Sequence, residues 1–505
     1  MALGQWSPLL LEQVISLISY KMSERILQIK GSDWMKGIST HSQLMKGGIF
    51  KTANFDPFRR MGVASSFNAG TRYGNATVTK TIRYIEGYTD SSTPSLLEYA
   101  DNGTNTSALY KTAFAGTTTD ISAAISTATT LARGCKIWYG TFIYAKNTDI
   151  RYYDNLAFTG GSDASIITSG IVSAEHPFTI GADLNLYFPN GNSVGRIVNT
   201  TPASTPTFVG TASVFALESE MIIRQVINDG RYLVILADNN TQNTTTGANF
   251  RCCVAFWDMT SPNLAQRYDF IGTGIIGGGQ LDDGTYIIAR DFLYVCNVAT
   301  RPSAISPFTG SANVTVRPLG VGAIAVRGNQ LIWGNATFMG YGNLTSGDKK
   351  IFFVPANNSA ANITAIAIQQ NTIWAGSDTP DLYAYDNAGA AQSTSFSLSQ
   401  ITFDKPYTFD YAKVVTYQAL SSGQSFSFSS STLNGTYQVT QSDDKTFTAD
   451  GVRTSLIFKR KNTVGNAFAQ NFEELDNITV TMNGPIVKFE IWATPIENQE
   501  SKLLT

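Results

Sequence analysis

A strand-like run recurs along the middle of the chain, and no other sequence feature restricts the fold as strongly. "KIWYGTFIYAKNTDIRYYDN", starting at Lys136, and "NTIWAGSDTPDLYAYDN", starting at Asn371, share a spaced set of residues. In the first copy the shared positions are Ile137, Trp138, Gly140, Asp149, Ile150, Tyr153, Asp154 and Asn155. In the second they are Ile373, Trp374, Gly376, Asp381, Leu382, Tyr385, Asp386 and Asn387. "NQLIWGN", from Asn329, supplies a further Ile-Trp-Gly. "DGRYLVILAD", from Asp229, and "DGTYIIARD", from Asp283, each place an Asp-Gly turn before an aromatic residue and an apolar run, as a tight hairpin entering a buried strand requires.

Strand centres near Ile82, Ile137, Leu184, Leu233, Ile287, Ile332 and Ile373 recur at roughly the 40 to 50 residues of four-stranded propeller blades. One such sheet cannot bury both of its faces alone, but sheets stacked around an axis share their cores and leave only short edges. The expectation is an all-β chain with a β-propeller of about seven blades over residues 46–404. A parallel β-helix would repeat at shorter spacing and need fewer hairpins.

The flanks read differently. Residues 1–45 form an N-terminal arm in which Ser7 and Pro8 precede Leu10, Val14, Leu17 and Ile18 at helical spacing, so a short amphipathic helix is expected there. The run lacks a basic leader and a cleavage pattern and is too short for a membrane span; Met22 is an alternative start. Beyond residue 404, "SFSFSSS", "GTYQVTQ", "VRTSLIFKRKN", "ITVTMNG" and "IVKFEIWATP" alternate with period two between short turns. They predict a C-terminal antiparallel β-sandwich over 405–496, followed by a tail, 497–505.

Charge argues against a polyanionic partner. Lys and Arg number 36 against 38 Asp and Glu, and the clearest basic cluster is Lys459, Arg460 and Lys461, so sequence-specific nucleic-acid binding is not expected. Charged residues make up 15% of the chain, against about 25% in ordinary domains, and small polar residues replace them, which suits close subunit contacts or an extracellular setting. Cys135, Cys252, Cys253 and Cys296 follow no disulfide or zinc spacing and read as small apolar core residues. Cys252 and Cys253 would point to opposite faces of a strand.

Chemistry is sparse. His41 and His176 stand in no metal or triad spacing. Asp282 and Asp283 are the nearest approach to a glycosidase carboxylate pair, and the same residues suit a hairpin turn. "DNGTN", with Asp101 and Asn105, offers oxygen ligands without a full calcium loop. Asn-x-Ser/Thr sites such as Asn199 and Asn243 are expected by composition alone. Trp138, Trp333 and Trp374 are candidate stacking platforms for glycan or, alternatively, packing residues of the repeat. No cofactor, metal site or catalytic residue is assigned.

"GGIFKTANFDPFRRMGV", residues 47–63, reads as a clasp. Gly47 and Gly48 permit a bend, "IFKTANF" is a strand suited to closing the propeller against its last blade, and Pro57 ends it. Phe55, Asp56, Pro57, Phe58, Arg59 and Arg60 are the expected closure residues, with the two arginines holding a carboxylate or carbonyl.

With Phe55–Arg60 and Gly62 at the entry, an aromatic-rich propeller, and terminal strands from Tyr411 to Trp492, the chain resembles the propeller-bearing tail nozzle and tail-tip proteins of tailed bacteriophages. The resemblance implies a non-enzymatic virion protein assembled in the host cytoplasm into a tail ring of its own copies, contacting other tail or portal-proximal proteins. It implies channel closure and host contact; a receptor- or glycan-binding tail module and a polysaccharide depolymerase acting through Asp283 are the alternatives.

Overall fold

The structure is a computed structural model that describes residues 23–30, 49–53, 55–56, 65–66, 71–73, 78–90, 93–114, 117–127, 130–202, 205–240, 250–307, 317–334, 338–343, 350–353, 362–370, 372–379, 381–385, 394–398, 401–417, 419, 425–431, 445–446, 454–459, 472–482 and 486–496. The expected arm helix, His41, Gly47, Gly48, Pro57–Arg60, Gly62, Asn243, Arg460, Lys461 and the tail lie outside these residues.

Among the described residues, seven four-stranded antiparallel sheets, six of them meanders of consecutive strands, make up a β-propeller. The first six occupy residues 81–120, 134–167, 179–216, 222–272, 275–307 and 324–353. The seventh combines Ile363–Gln369, Thr372–Ser377 and Leu382–Tyr385 with Thr71–Tyr73. The second strand of a sheet is its most deeply buried: Thr141–Ala145, Leu186–Asn190, Leu233–Asp238, Gly284–Ala289 and Gln330–Gly334 are buried at every residue. A sheet stacked on either side removes both faces of that strand from water, so alternation gives way to continuous apolar runs.

Aromatic residues fill the spaces between sheets. Tyr99 of the first sheet meets Phe142 and Tyr144 of the second edge-on, and Trp138 of the second stacks on Phe208 of the third at 5.4 Å. The first and seventh sheets share a core of Ile82, Leu96, Ala365, Trp374 and Leu382, which closes the ring. Cys252 and Cys253 face opposite neighbours, one in the core toward the fifth sheet and the other in the core toward the third. Burial pushes both thiols up to about 12.

The repeat aligned strands that are not equivalent. Trp138 ends a first strand, and Tyr139 and Gly140, both at positive φ, form the hairpin turn after it. Trp374 lies inside a second strand, where Gly376 is a packing residue: a Cβ there would approach Ile82 Cγ2 to 2.6 Å. Gly334, after Trp333, sits similarly against Ile363. Leu184 is no strand centre; it occupies a turn with φ 65° and is 62% exposed.

The clasp is also elsewhere. Ile49–Ala53 pairs with Thr394–Leu398, and Phe55–Asp56 with Ser65–Ser66, so neither joins the propeller. Thr71, Arg72 and Tyr73 close it by pairing with Ala384, Tyr383 and Leu382. The arginine holding a carboxylate there is Arg72, on Asp381.

The chain divides into two compact units, Phe67–Gln392 and the pair Met1–Ser66 with Ser393–Thr505, in place of the expected boundaries at 46 and 404. In the second unit Ile401–Thr416 pairs along different parts of its length with Phe472–Met482, Ser455–Lys459 and Ile486–Pro495. Glu24–Lys30, inside the expected arm, is a strand on Ile486–Pro495. Phe396 meets Phe489 edge-on at 6.0 Å in the core of this unit. The sequence read its terminal strands alone and missed those from the N-terminal side.

Candidate functional site

The residues singled out for chemistry hold the propeller together. Trp138, Trp333 and Trp374 are 5%, 0% and 2% exposed, so none offers a ring face to a sugar. Asp282 and Asp283 form the turn joining Ile275–Leu281 to Gly284–Ala289, and Asp283 accepts a hydrogen bond from the Tyr286 hydroxyl at 2.7 Å. Asp229 holds the matching turn in the fourth sheet, accepting from the backbone N–H groups of Arg231 and Tyr232. Asn102 Oδ1 accepts from Thr104, Asn105 and Thr106 N–H, so "DNGTN" is a hydrogen-bonded turn. His176 is fully buried, with Nδ1 2.6 Å from the Pro189 carbonyl and Nε2 2.9 Å from that of Val172; burial pulls its pKa down. No cluster of three or more His, Cys, Asp or Glu suited to a metal occurs among the described residues.

A polar cavity of about 300 Å³ lies where several sheets begin, and the sequence reading missed it. Its wall includes Arg133 before the second sheet, Glu175 before the third, Arg224 in the fourth, Ile276 and Arg290 in the fifth, and Gly320 before the sixth. β-Bulges set part of this wall. A register shift between Ile223 and Gln225 frees Arg224, in the wall, from the pleat, and one between Ile82 and Tyr84 does the same for Arg83, outside the lining, in the first sheet.

Each of these two arginines meets an aspartate at the end of the next strand. Arg83 Nε lies 3.1 Å from Asp101 Oδ1, and Arg224 Nη2 2.8 Å from Asp238 Oδ1. The other oxygen of each aspartate accepts a backbone N–H at the entry to the following sheet, from Ala132 at 3.1 Å and Ile275 at 2.7 Å. The pair therefore fixes one sheet to the next. In the fifth sheet the sign changes: Arg290 follows Ala289 as Asp101 follows Ala100 and Asp238 follows Ala237, and the bulged residue is the uncharged Ile276.

Arg133 is held by its backbone. Its N–H reaches Ala145 O, and its carbonyl accepts from His176 N–H at 2.5 Å. Gly134, at φ 149°, permits that approach, since a Cβ would collide with the His176 carbonyl oxygen. Arg133 Nε is shut off from solvent and has no acceptor among the described residues, a condition that costs about 1–3 kcal/mol for a buried donor. Glu175 opens onto the cavity, and no ion pair joins it to an arginine among the described residues. Surrounding protein pushes its carboxyl up, against the pull of Arg133, Arg83 and Arg224. Arg290 is pulled down by burial and by the cations Arg317 and Arg224.

The missed signal is short. "YADN", "YAKN", "LADN" and "IARD" end the second strands of the first, second, fourth and fifth sheets, each placing a charged residue after Ala. Four residues of such ordinary composition become distinctive only once the sheets are in register.

No protein-family model and no curated protein matches the chain. Solved structures similar to it include a catalytically inactive virginiamycin B lyase from Staphylococcus aureus with quinupristin, at 12% identity and TM-score 0.44 over 62% of this chain and 98% of that one. YCF48 bound to D1 peptide matches at 10% identity and TM-score 0.43, over 63% and 95%. The Neurospora crassa Pan2 WD40 domain matches at 9% and 0.40, over 61% and 90%.

Proposed function

We propose that the chain is a non-catalytic structural protein of a phage tail, a nozzle or tail-tip subunit that assembles with copies of itself through a seven-bladed propeller and a β-sandwich unit. The observation that carries this reading is the engagement of chemically capable residues in the fold: Asp283 with Tyr286, His176 with two carbonyls, Asp101 with Arg83 and backbone. A scaffold needs such rigidity, whereas a hydrolase needs a carboxylate pair open to substrate. The resemblance to tail proteins supplies the setting, and the small-polar, weakly charged composition suits subunit contacts. Channel closure, host contact, tail and portal-proximal partners, location in the virion and assembly in the host cytoplasm belong to the same proposal.

Burial of the three tryptophans weighs against the glycan-binding alternative, and Asp283's place in a turn weighs against a depolymerase. Mass photometry and cryo-EM of the intact chain should reveal closed rings, and virion proteomics should detect it. A monomer at all concentrations that does not enter virions overturns the proposal.

A further inference from the structure

The arginine-lined cavity has the size and donor set of a ligand site. Its volume of about 300 Å³ stands at the lower end of the range for small-molecule pockets. Arg133, Arg224 and Arg290 face one carboxylate, Glu175, and Arg224 is already held by Asp238 and the Asn240 carbonyl. Three arginines against one carboxylate give the lining an excess of positive charge, which favours an anion over a neutral ligand and repels a metal cation. An oxyanion offers acceptors to the arginines, and one that retains a proton also offers a donor to Glu175.

We propose that this cavity binds a small protonated oxyanion of the phosphate class, with Arg133 and Arg290 donating to its oxygens and Glu175 accepting its P–O–H. The entry segments and inner strands around the cavity are fixed to one another by backbone contacts such as His176 N–H to Arg133 O, so the donors are held in position before the ligand arrives. Glu175 adds selectivity. A fully deprotonated tetrahedral anion of the same size, such as sulfate, has no proton to give and meets the carboxylate as a like charge.

The test is calorimetric titration of the full chain with inorganic phosphate and with sulfate at matched ionic strength above neutral pH, alongside thermal unfolding in the same buffers. The expected result is saturable phosphate binding, about tenfold or more tighter than sulfate, with a rise in Tm that chloride does not reproduce. Arg133→Gln should weaken phosphate about tenfold or more, and Arg231→Gln, on an exposed turn of the fourth sheet, should leave it unchanged. Glu175→Gln should narrow the difference between phosphate and sulfate. Absence of saturable phosphate binding, equal response to chloride, or wild-type affinity in a folded Arg133→Gln protein overturns the proposal. Should Arg133→Gln fail to fold, an unchanged phosphate preference in Glu175→Gln overturns it as well.

Discussion

Arg72 and Asp381 tie the strand Thr71–Tyr73 to the rest of the seventh sheet: Nε and Nη2 of the arginine lie 2.9 and 2.6 Å from one carboxylate oxygen. Arg72 is half exposed and the Asp381 side chain nearly buried, so the pair lies between a surface ion pair and a desolvated one. Arg72→Ala should cost about 1 kcal/mol in urea unfolding. Tyr73→Ala should cost more, about 2–4 kcal/mol, because that ring packs on Trp374 at 5.2 Å and helps fill the closing core. Equal losses would mean that the aromatic contact does not dominate the closure over the ion pair.

Gly134 and Gly140 give a controlled comparison at the two ends of the first strand of the second sheet. Both have positive φ, but a Cβ on Gly134 would strike the His176 carbonyl whereas Gly140 has open space around it. Gly134→Ala should destabilise by about 3 kcal/mol or more, and Gly140→Asn by less than about 1 kcal/mol, since Asn tolerates the left-handed region. Thermal unfolding of the two variants decides whether backbone apposition at the cavity wall is as tight as described.

Glu98 predicts a pH dependence. It is fully buried in the second strand of the first sheet, beside Thr112, whose hydroxyl is engaged with that of Thr118 at 2.7 Å. Desolvation pushes its carboxyl well above the ordinary value, with Thr112 opposing weakly. A raised acid pKa means that the folded chain holds the proton more tightly than the unfolded one. Its contribution to stability is full below the unfolded value near 4.5 and declines as pH rises toward the folded value. Glu98→Gln should flatten this decline, so that the variant gains on the wild type as pH rises above about 5. Parallel stability curves for the two proteins would exclude the assignment.

The sheets were legible because burial writes itself into composition: "LVILAD" and "TYIIA" are apolar at successive positions since sheets cover both faces. Their phase was less legible. An Ile-Trp pair serves at the end of a first strand at Trp138 and within a second strand at Trp374, because both places adjoin an intersheet core. The closing strand Thr71–Tyr73 has three residues, too few for periodicity, whereas "IFKTA" alternates well enough to suit any open edge and joins the other unit. The cavity was illegible for a related reason: Arg133, Glu175, Arg224 and Arg290 are separated in sequence and meet only through the circular arrangement of the sheets.

The two Arg–Asp pairs make the most specific prediction about how the ring holds together. Asp238 accepts from Arg224, from Asn240 N–H and from Ile275 N–H, so it links the fourth sheet to the fifth as well as neutralising its arginine. Asp238→Ala removes every one of these contacts and leaves Arg224, 21% exposed, beside the cavity; it should cost about 3–5 kcal/mol. Arg224→Met removes the cation but leaves the backbone donors to Asp238, and should cost less. The double variant should then be more stable than the sum of the single losses predicts, by about 1–3 kcal/mol, because neither charge remains without its partner. Additive losses in urea unfolding would show that the carboxylate acts on the fifth sheet independently of Arg224.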